Sequence, residues 1–240
     1  MLRHSLATCI FATAAALLAS HAYAAAPRPV VVELFTSQGC SSCPPADRFL
    51  TEMSDTRADV LPLAFHVTYW NQLGWKDPFS LDAADARQAR YVQQFHDFAY
   101  TPEMVIDGKA AVVGSNRSAA SAAIERAKSV NVTAASISAK REDGGVSVSI
   151  GAGTGHARVL LVGYDARHVT PVGRGENAGE TLAESNIVRG FAPIGQWSGT
   201  ALELRAQPTS GEHLVVLLEA DDGAIVGAAR VSDTRAAPAR

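Results

Sequence analysis

The sequence predicts an α/β domain followed by an all-β, sandwich-like domain. Between residues 27 and 129, short apolar runs rich in Val, Leu and Phe alternate with segments of good helix formers. From 130 to 233, short alternating or β-branched runs are separated by glycine-containing turns, a pattern typical of an antiparallel sandwich or barrel. The remaining residues, 234–240, are predicted to form a disordered tail.

The first region shows elements in the order β-α-β-α-β-β-α, which is the order of a thioredoxin fold. Pro44 and Pro45 can open its first helix, because proline is tolerated in a helix's first turn. Ser118 is a candidate N-cap for its last helix. The predicted segments are Val30–Phe35, Pro44–Met53, Asp59–Thr68, Asp82–His96, Thr101–Gly108, Ala110–Gly114 and Ser118–Lys128.

The second region contains no cysteine and no recognisable nucleophile–base pair, so we expect it to restrict or present partners rather than to carry redox chemistry. The glycine-rich stretch Gly173–Gly179 lacks the Gly-Lys-Ser/Thr ending of a phosphate loop and is predicted to be a hairpin loop. The predicted strands are Asn131–Lys140, Gly145–Gly151, Ala157–Tyr164, Ser185–Phe191, Thr200–Leu204 and His213–Glu219.

Residues 1–24 have the features of a secretory signal peptide. Arg3 and His4 precede an apolar stretch, Leu6–Leu18, and Ala22-Tyr23-Ala24 fits a cleavage site. The apolar stretch is too short for a transmembrane anchor, so we expect a periplasmic or secreted protein without membrane attachment after cleavage. The mature chain is mildly acidic and has no basic cluster, which makes it a poor candidate for nucleic-acid binding.

Cys40 and Cys43 stand in C-x-x-C spacing between an apolar run and two prolines. A thiol at a helix N-terminus lies near the positive end of the helix dipole and near free N–H groups, which favours the reactive thiolate. We therefore expect Cys40 to attack disulfides and Cys43 to resolve the mixed disulfide. The predicted activity is thiol–disulfide oxidoreduction on protein thiols and disulfides, without a cofactor.

Two other interpretations of the cysteine pair stay open. The pair can be an inert disulfide in a non-catalytic, thioredoxin-like adaptor. It can also bind copper(I), which accepts two thiolates plus a histidine or methionine: Cys40, Cys43 and His66 are the candidate ligands of a carrier or metallochaperone, and His96 and Met104 are the other soft donors of this region. His66 is otherwise a buried strand-end histidine held by hydrogen bonds. Zinc is not expected, because a structural zinc site needs four ligands.

Pro102 and Glu33 are the other candidate site residues. The likeness to thioredoxin folds implies that Pro102 is a cis-proline opposite the cysteines, where the neighbouring backbone orders a substrate strand; an ordinary trans-proline at a strand start is the alternative. Glu33 lies within an apolar strand before the motif, so a buried Glu33 with a raised pKa would accept the proton of the resolving thiol. A solvent-facing edge residue is the alternative for Glu33.

An aromatic loop, Tyr69–Phe79, follows the second predicted strand. Its large apolar side chains can form a platform over the cysteines or the small core of a long loop. These side chains are Trp70, Trp75 and Phe79.

Taken together, several segments resemble a bacterial secreted family of unknown function with a thioredoxin-like fold. The most specific is Glu33–Asp47, which contains Gly-Cys-x-x-Cys-Pro-Pro-Ala-Asp. The resemblance implies the fold and little about the substrate. An aspartate is usual in that family where this chain has Thr68, so a mechanism that needs an acid there is weakened. The other matching segments are His66–Trp70, Gly74–Asp77, Tyr100–Pro102 and Gly175–Gly179 with Thr181 and Leu182.

Overall fold

The computed structural model describes residues 28–130 and 133–233. The predicted signal peptide, 1–24, and the predicted tail, 234–240, lie outside the described residues. The helices are α1 (Pro44–Thr56), α2 (Asp82–Phe95) and α3 (Arg117–Ser129). The strands are β1 (Val30–Thr36), β2 (Val60–His66), β3 (Glu103–Ile106), β4 (Ala110–Val113), β5 (Ile137–Glu142), β6 (Gly145–Ile150), β7 (Ala157–Pro171), β8 (Thr181–Trp197), β9 (Leu202–Ala206), β10 (His213–Ala220), β11 (Ile225–Arg230) and β12 (Ser232–Asp233).

The fold is mixed α/β and is organised by one large mixed sheet with the strand order β11-β10-β7-β8-β2-β1-β3-β4. Strand β1 runs parallel to β2 and antiparallel to β3. Strands β1 and β2 are buried along their whole length, because helices cover both faces of the sheet there and each strand is a continuous apolar run. The carboxyl ends of β1 and β2 therefore open onto the same edge of the sheet.

The large sheet continues across the predicted boundary at residue 130. Strand β8 pairs in parallel with β2 through Ala64 and Ile187, and the long β7–β8 hairpin carries β10 and β11 beyond it. The other strands of the second region form a separate four-stranded sheet in the order β12-β5-β6-β9. The change from helices to strands thus falls near residue 130, while backbone pairing joins the two regions.

Three apolar clusters fill the interior. One lies on the face of the large sheet that α1 and α3 cover, and it includes Val32, Leu34 and Leu50. A second contains α2 residues such as Tyr91 together with Phe35 from the first region and Val162 from the second. The third lies between the two sheets and is centred on buried Trp197. Because the second cluster takes residues from both regions, their packing is shared as well as their sheet.

Polar side chains bind the backbone at the junction of β2 and β8. Asn186, at a φ of 51°, donates from Nδ2 to the carbonyl oxygen of Pro62 at 2.8 Å. Asparagine tolerates this left-handed conformation better than most residues do. Ser54 of α1 donates to Asn186 Oδ1 at 3.3 Å, and Thr51 donates to Ser185 at 3.0 Å. Helix α1, which begins at the cysteine motif, is therefore fixed against β8.

Several predicted boundaries need correction. The N-cap of α3 is Asn116, not Ser118, because Asn116 Oδ1 accepts the N–H of Ala119 at 3.1 Å. Strand β8 begins at Thr181 rather than Ser185. Strand β11 was not predicted, since its Gly and Ala residues weaken the strand pattern.

None of the helices within 28–130 and 133–233 is long and apolar enough to cross a membrane.

A buried arginine joins β1 to β10 beneath α2. The Arg87 guanidinium donates to Glu33 of β1 and, at 2.7 Å, to Glu219 of β10. Tyr91 donates to Glu33 at 3.0 Å and completes the network. Both carboxylates have lost most of their contact with water, so the guanidinium supplies the charge and hydrogen bonds that they need.

Replacing this arginine tests the junction. We expect Arg87→Ala to lower the free energy of unfolding by about 3–5 kcal/mol, because Glu33 would stay buried without a counter-charge and Glu219 would keep only Arg158. Arg126→Ala, at an exposed position of α3, should change it by less than about 0.5 kcal/mol. Urea unfolding of the two variants measures the difference. Equal effects would show that the buried network contributes nothing specific.

Candidate functional site: a buried disulfide beside a cluster of acidic residues

The cysteine motif lies at the start of α1. Cys40 and Cys43 form a disulfide, and neither has exposed surface. Cys43 is the residue before the helix, and Pro44 and Pro45 occupy its first turn as predicted. These prolines have no N–H group, so they remove two of the free donors usual at a helix start. Ser42 Oγ lies 3.3 Å from Cys40 Sγ.

Pro102 lies beside this motif. The Thr101–Pro102 peptide bond is cis, and Ser42 Oγ donates to the carbonyl oxygen of Thr101 at 3.4 Å. A Cβ atom built on Gly114 would lie 3.2 Å from Ala46 Cβ and 3.3 Å from Pro102 Cβ. Gly114 thus lets the proline approach the first turn of α1. The structure therefore brings Pro102 together with the two cysteines.

Glu33 is buried, but its side-chain hydrogen bonds are not made with the cysteine motif. Its carboxylate binds Arg87 and Tyr91 on the α2 face of the sheet. Its neighbours in sequence, Val32 and Leu34, point to the opposite face, where α1 packs. The structure therefore places Glu33 and α1 on opposite sides of the sheet.

A different group of titratable residues lies on the face that α1 covers. We call Asp47, His66, Asp77 and Glu184 the buried acidic cluster. Asp47 follows Cys43 by one helical turn, and its backbone N–H donates to the Cys43 carbonyl at 3.1 Å. Its Oδ1 accepts a 2.8 Å hydrogen bond from Thr36, while Oδ2 is buried without a hydrogen bond. Asp47 is thus the carboxyl group nearest in the helix to the motif.

Burial and the nearby Glu184 carboxylate raise the pKa of Asp47 from 3.8 to about 8. Burial also raises the pKa of Glu184. Burial works against a charged His66, but Asp77 and Glu184 outweigh it and raise the pKa of that imidazole to about 9. Near neutral pH, the buried acidic cluster therefore holds a protonated histidine and a proton on the Asp47–Glu184 pair.

A pocket of about 150 Å³ leads to this pair from the surface. Asp47 and Glu184 belong to its walls, together with Pro44 at the start of α1 and Leu182 of β8. Glu184 Oε1, like Asp47 Oδ2, is buried without a hydrogen bond. Most of the pocket wall is apolar, and the two carboxyl groups are among the polar partners that it offers to water.

His66 faces acids rather than cysteines. Its Nδ1 lies 2.7 Å from Asp77 Oδ2, and its Nε2 lies 3.8 Å from Glu184 Oε1. Across the described part of the chain, no group of three or more His, Cys, Asp and Glu side chains is arranged to hold a metal ion. The three candidate copper ligands, Cys40, Cys43 and His66, therefore do not form such a group in the disulfide state.

Gln38 connects the motif to the buried acidic cluster. Its backbone N–H donates to Asp77 at 2.8 Å and its side-chain amide donates to Glu184 at 2.6 Å. Trp75 Nε1 donates to Gln38 Oε1 at 3.1 Å, which fixes the orientation of that amide. The turn before Cys40 is thus held at its backbone and its side chain.

The aromatic loop lies against both ends of the motif. Trp70 donates to Thr101 Oγ1 at 2.8 Å, and its Cβ would lie 3.2 Å from a Cβ on Gly39. Phe79 instead packs edge-on against His66 at 5.6 Å. Thr68, where the resembled family has an acid, donates through both backbone and hydroxyl to Asp85, so a carboxylate of α2 lies at this position.

The hairpin loop between β7 and β8 reaches the motif from the second region. Asn177 Nδ2 donates to the carbonyl oxygens of Gln38 and Cys40, at 2.9 and 3.0 Å. Glu176 Oε2 accepts the N–H of Ser41 at 3.0 Å. Sequence reasoning assigned no role to these residues, or to Asp47 and Glu184. The burial signal for Asp47 was its position among Ala46, Leu50 and Met53 on the apolar face of α1.

The chain belongs to the family described as "Protein of unknown function (DUF1223)", whose model matches residues 31–219. The crystal structure of protein AGR_C_4864 from Agrobacterium tumefaciens is similar, with 29% identity and a TM-score of 0.76 over 90% of this chain and 100% of that one. HBP35 of Porphyromonas gingivalis shares the fold, with 11% identity and a TM-score of 0.56 over 89% of this chain and 79% of that one. No curated protein matches the chain.

The raised pKa of Asp47 predicts how stability depends on pH. Between about pH 4 and 8 the folded chain retains a proton that the unfolded chain has lost, so stability falls as pH rises through this window. Asp47→Asn removes this loss. We expect its stability relative to the wild type to increase by roughly 2–4 kcal/mol from pH 5 to pH 8.

Denaturant unfolding at a series of pH values measures this difference. Asp143→Asn, in the exposed β5–β6 turn, is the matched control and should follow the wild-type curve. A constant offset between Asp47→Asn and wild type across the window would mean that Asp47 titrates normally.

Proposed function

We propose that this protein is a periplasmic or secreted thiol–disulfide oxidoreductase, with a thioredoxin-like domain followed by a β-rich region that restricts access. One observation carries the proposal: a Cys40–Cys43 disulfide at the start of α1, with the Thr101–Pro102 backbone beside it and a buried carboxyl group one turn further along the helix. A redox pair needs these three parts, which are a disulfide, a backbone that aligns the substrate, and a proton acceptor.

The reaction begins from the reduced form. The Cys40 thiolate attacks one sulfur of a substrate disulfide, a mixed disulfide forms, and the other substrate sulfur leaves as a thiolate that takes a proton from solvent. Cys43 then loses its proton and attacks Cys40 Sγ. The Cys40–Cys43 disulfide forms, the second substrate thiolate is released, and two electrons have passed to the substrate. The reverse sequence oxidises a substrate dithiol.

Asp47 replaces Glu33 as the group proposed to accept the Cys43 proton. Glu33 is held by Arg87 across the sheet, whereas Asp47 lies on the helix that Cys43 begins. The Asp47 pKa of about 8 lies close to that of an ordinary thiol, about 8.5, so the ionised fraction of Asp47 can take the Cys43 proton and return it in the reverse reaction. Glu184 shares its burial, and the pocket beside the two carboxyl groups lets the proton leave for solvent.

The substrate class is a polypeptide with an exposed cysteine pair. Exposed apolar side chains offer contact area to an unfolded chain, among them Phe98, which precedes Thr101 closely in the sequence, and Tyr69, the neighbour of the Trp70 that binds Thr101. Pro102 lies at the start of β3, where the backbone of Thr101 can align an extended substrate. Protein thiols and disulfides are therefore the proposed partners.

Single-cysteine variants test the order of attack. We expect Cys43→Ser to accumulate mixed disulfides with client proteins, because Cys40 still attacks and nothing resolves the product. Cys40→Ser should accumulate few. Non-reducing electrophoresis of both variants, expressed with the native leader, measures the trapped species. Equal trapping would contradict the assigned roles and would favour the adaptor or copper(I) interpretation.

A pair of carboxyl variants tests the proton acceptor. We expect Asp47→Asn to slow resolution of a mixed disulfide by about 10²-fold and to remove its dependence on a group of pKa about 8. Glu33→Gln, a change of the same kind on the other face of the sheet, should leave the pH profile unchanged. Stopped-flow exchange with a Cys40 mixed disulfide gives both profiles. A shifted profile in Glu33→Gln alone would restore Glu33 to the mechanism.

A further inference from the structure

The cysteines are completely buried although Ser41 and Ser42 between them are exposed. The segment Val172–Glu180, which we call the cover segment, connects β7 to β8 and contacts the turn that carries Cys40. It is an ordered loop, because Gly179 donates to the Val172 carbonyl at 2.8 Å and Val172 donates to the Glu180 carbonyl at 2.9 Å. A thiol that attacks the disulfide must approach past a structured element.

Asn177 anchors the cover segment. Its side-chain amide uses both hydrogens on the motif, one for Gln38 and one for Cys40. The residue is buried, so neither hydrogen bond is exposed to competition from solvent. Asn177 therefore links the position of the cover segment to the backbone of the reactive cysteine.

Glu176 places a negative charge on the amide next to Cys40. Its carboxylate accepts the Ser41 N–H, and hydrogen bonds from the Ser41 hydroxyl and from this N–H lower the Glu176 pKa. Pro44 and Pro45 supply no N–H at the start of α1, and the Ser41 amide is the N–H that follows Cys40 directly in the chain. The Glu176 carboxylate therefore occupies the Ser41 N–H, and its negative charge repels anions that approach Cys40.

We propose that Glu176 is a specificity-determining residue of the disulfide site. Its negative charge disfavours attack by small anionic thiols. When a polypeptide substrate binds, a main-chain carbonyl of the substrate replaces the Glu176 carboxylate as the acceptor of the Ser41 N–H. Asn177 is the positioning residue that keeps the cover segment in place until then. This inference rests on the proposed function and names the property that selects the substrate. A neutral carbonyl accepts the same hydrogen bond without the charge.

Small thiols of different charge test the effect of the Glu176 charge on attack at the disulfide. A thiolate attacks Cys40 Sγ, the Cys40–Cys43 bond breaks, and Cys43 leaves as a thiolate that takes a proton; a second thiol then releases Cys40 and leaves as a small-molecule disulfide. The glutathione thiolate is net negative and the cysteamine thiolate is net neutral. Both attack by the same chemistry, so their relative rates report the charge at the site.

The experiment follows reduction of the oxidised full-length protein by each thiol, with acid quenching, alkylation and mass measurement. Each rate is taken at equal thiolate concentration and divided by the rate of the same thiol with bis(2-hydroxyethyl) disulfide. We expect Glu176→Gln to raise the glutathione rate about three- to tenfold and to leave the cysteamine rate nearly unchanged. Added salt should raise the wild-type glutathione rate and affect the variant less.

Two further variants separate the effect of the Glu176 charge from the effect of the cover segment on access to the disulfide. Glu180→Gln removes an equal charge from the same segment at an exposed position whose backbone bonds stay within that segment, and should behave as wild type. Asn177→Ala should raise the rates with both thiols by a similar factor of about ten, since loss of two hydrogen bonds opens the segment without altering its charge.

An unchanged ratio of glutathione to cysteamine rates in Glu176→Gln, or an equal change in Glu180→Gln, overturns the role of Glu176. Unchanged rates in Asn177→Ala overturn the role of the cover segment as a barrier. Failure of both thiols to reduce the wild-type disulfide, while the unfolded protein is reduced normally, contradicts the proposed oxidoreductase instead.

Discussion

The guanidinium of Arg87 is the interaction on which the arrangement of this protein depends. It binds β1 through Glu33 and β10 through Glu219, so it aligns strands that lie on opposite sides of β2 and β8 in the large sheet. With that alignment, β8 runs beside β2 and brings Glu184 to the buried acidic cluster. The β7–β8 loop then reaches the cysteine motif. The site is thus built from both regions of the chain.

Buried charges are neutralised by ion pairs on one face of the large sheet, whereas buried carboxyl groups share protons on the other. Beneath α2, the charges of Glu33 and Glu219 are neutralised by arginine, and hydrogen bonds hold the network in one state. Beneath α1, the carboxyl groups outnumber the single imidazole, and two carboxyl oxygens have no hydrogen-bond partner. Fully paired charges keep one protonation state, whereas carboxyl groups that share protons can exchange them. This contrast, rather than burial alone, separates Glu33 from Asp47.

Local patterns in the sequence predicted the structural features that depend on residues close together in the chain. The helix beginning at Pro44 follows from proline's fixed φ, and the buried strands follow from continuous apolar runs. Burial of Glu33 was one of two alternatives that the sequence left open, and its partner was not predicted, because Arg87 lies 54 residues away and only the packing of α2 brings it there. The same holds for Glu184 and Asn177, which reach the motif through pairing of β8 with β2. The sequence contains no local mark of that pairing.

The hydrogen bond from Asn177 to the Cys40 carbonyl spans 137 residues of sequence. Contacts of such separation form late, since loop closure must be completed before they stabilise anything. A chain whose β7–β8 hairpin has not yet docked lacks the Asn177 contacts with the turn that carries Cys40. Shielding of the cysteine pair by this loop is therefore acquired only when β8 joins the large sheet beside β2.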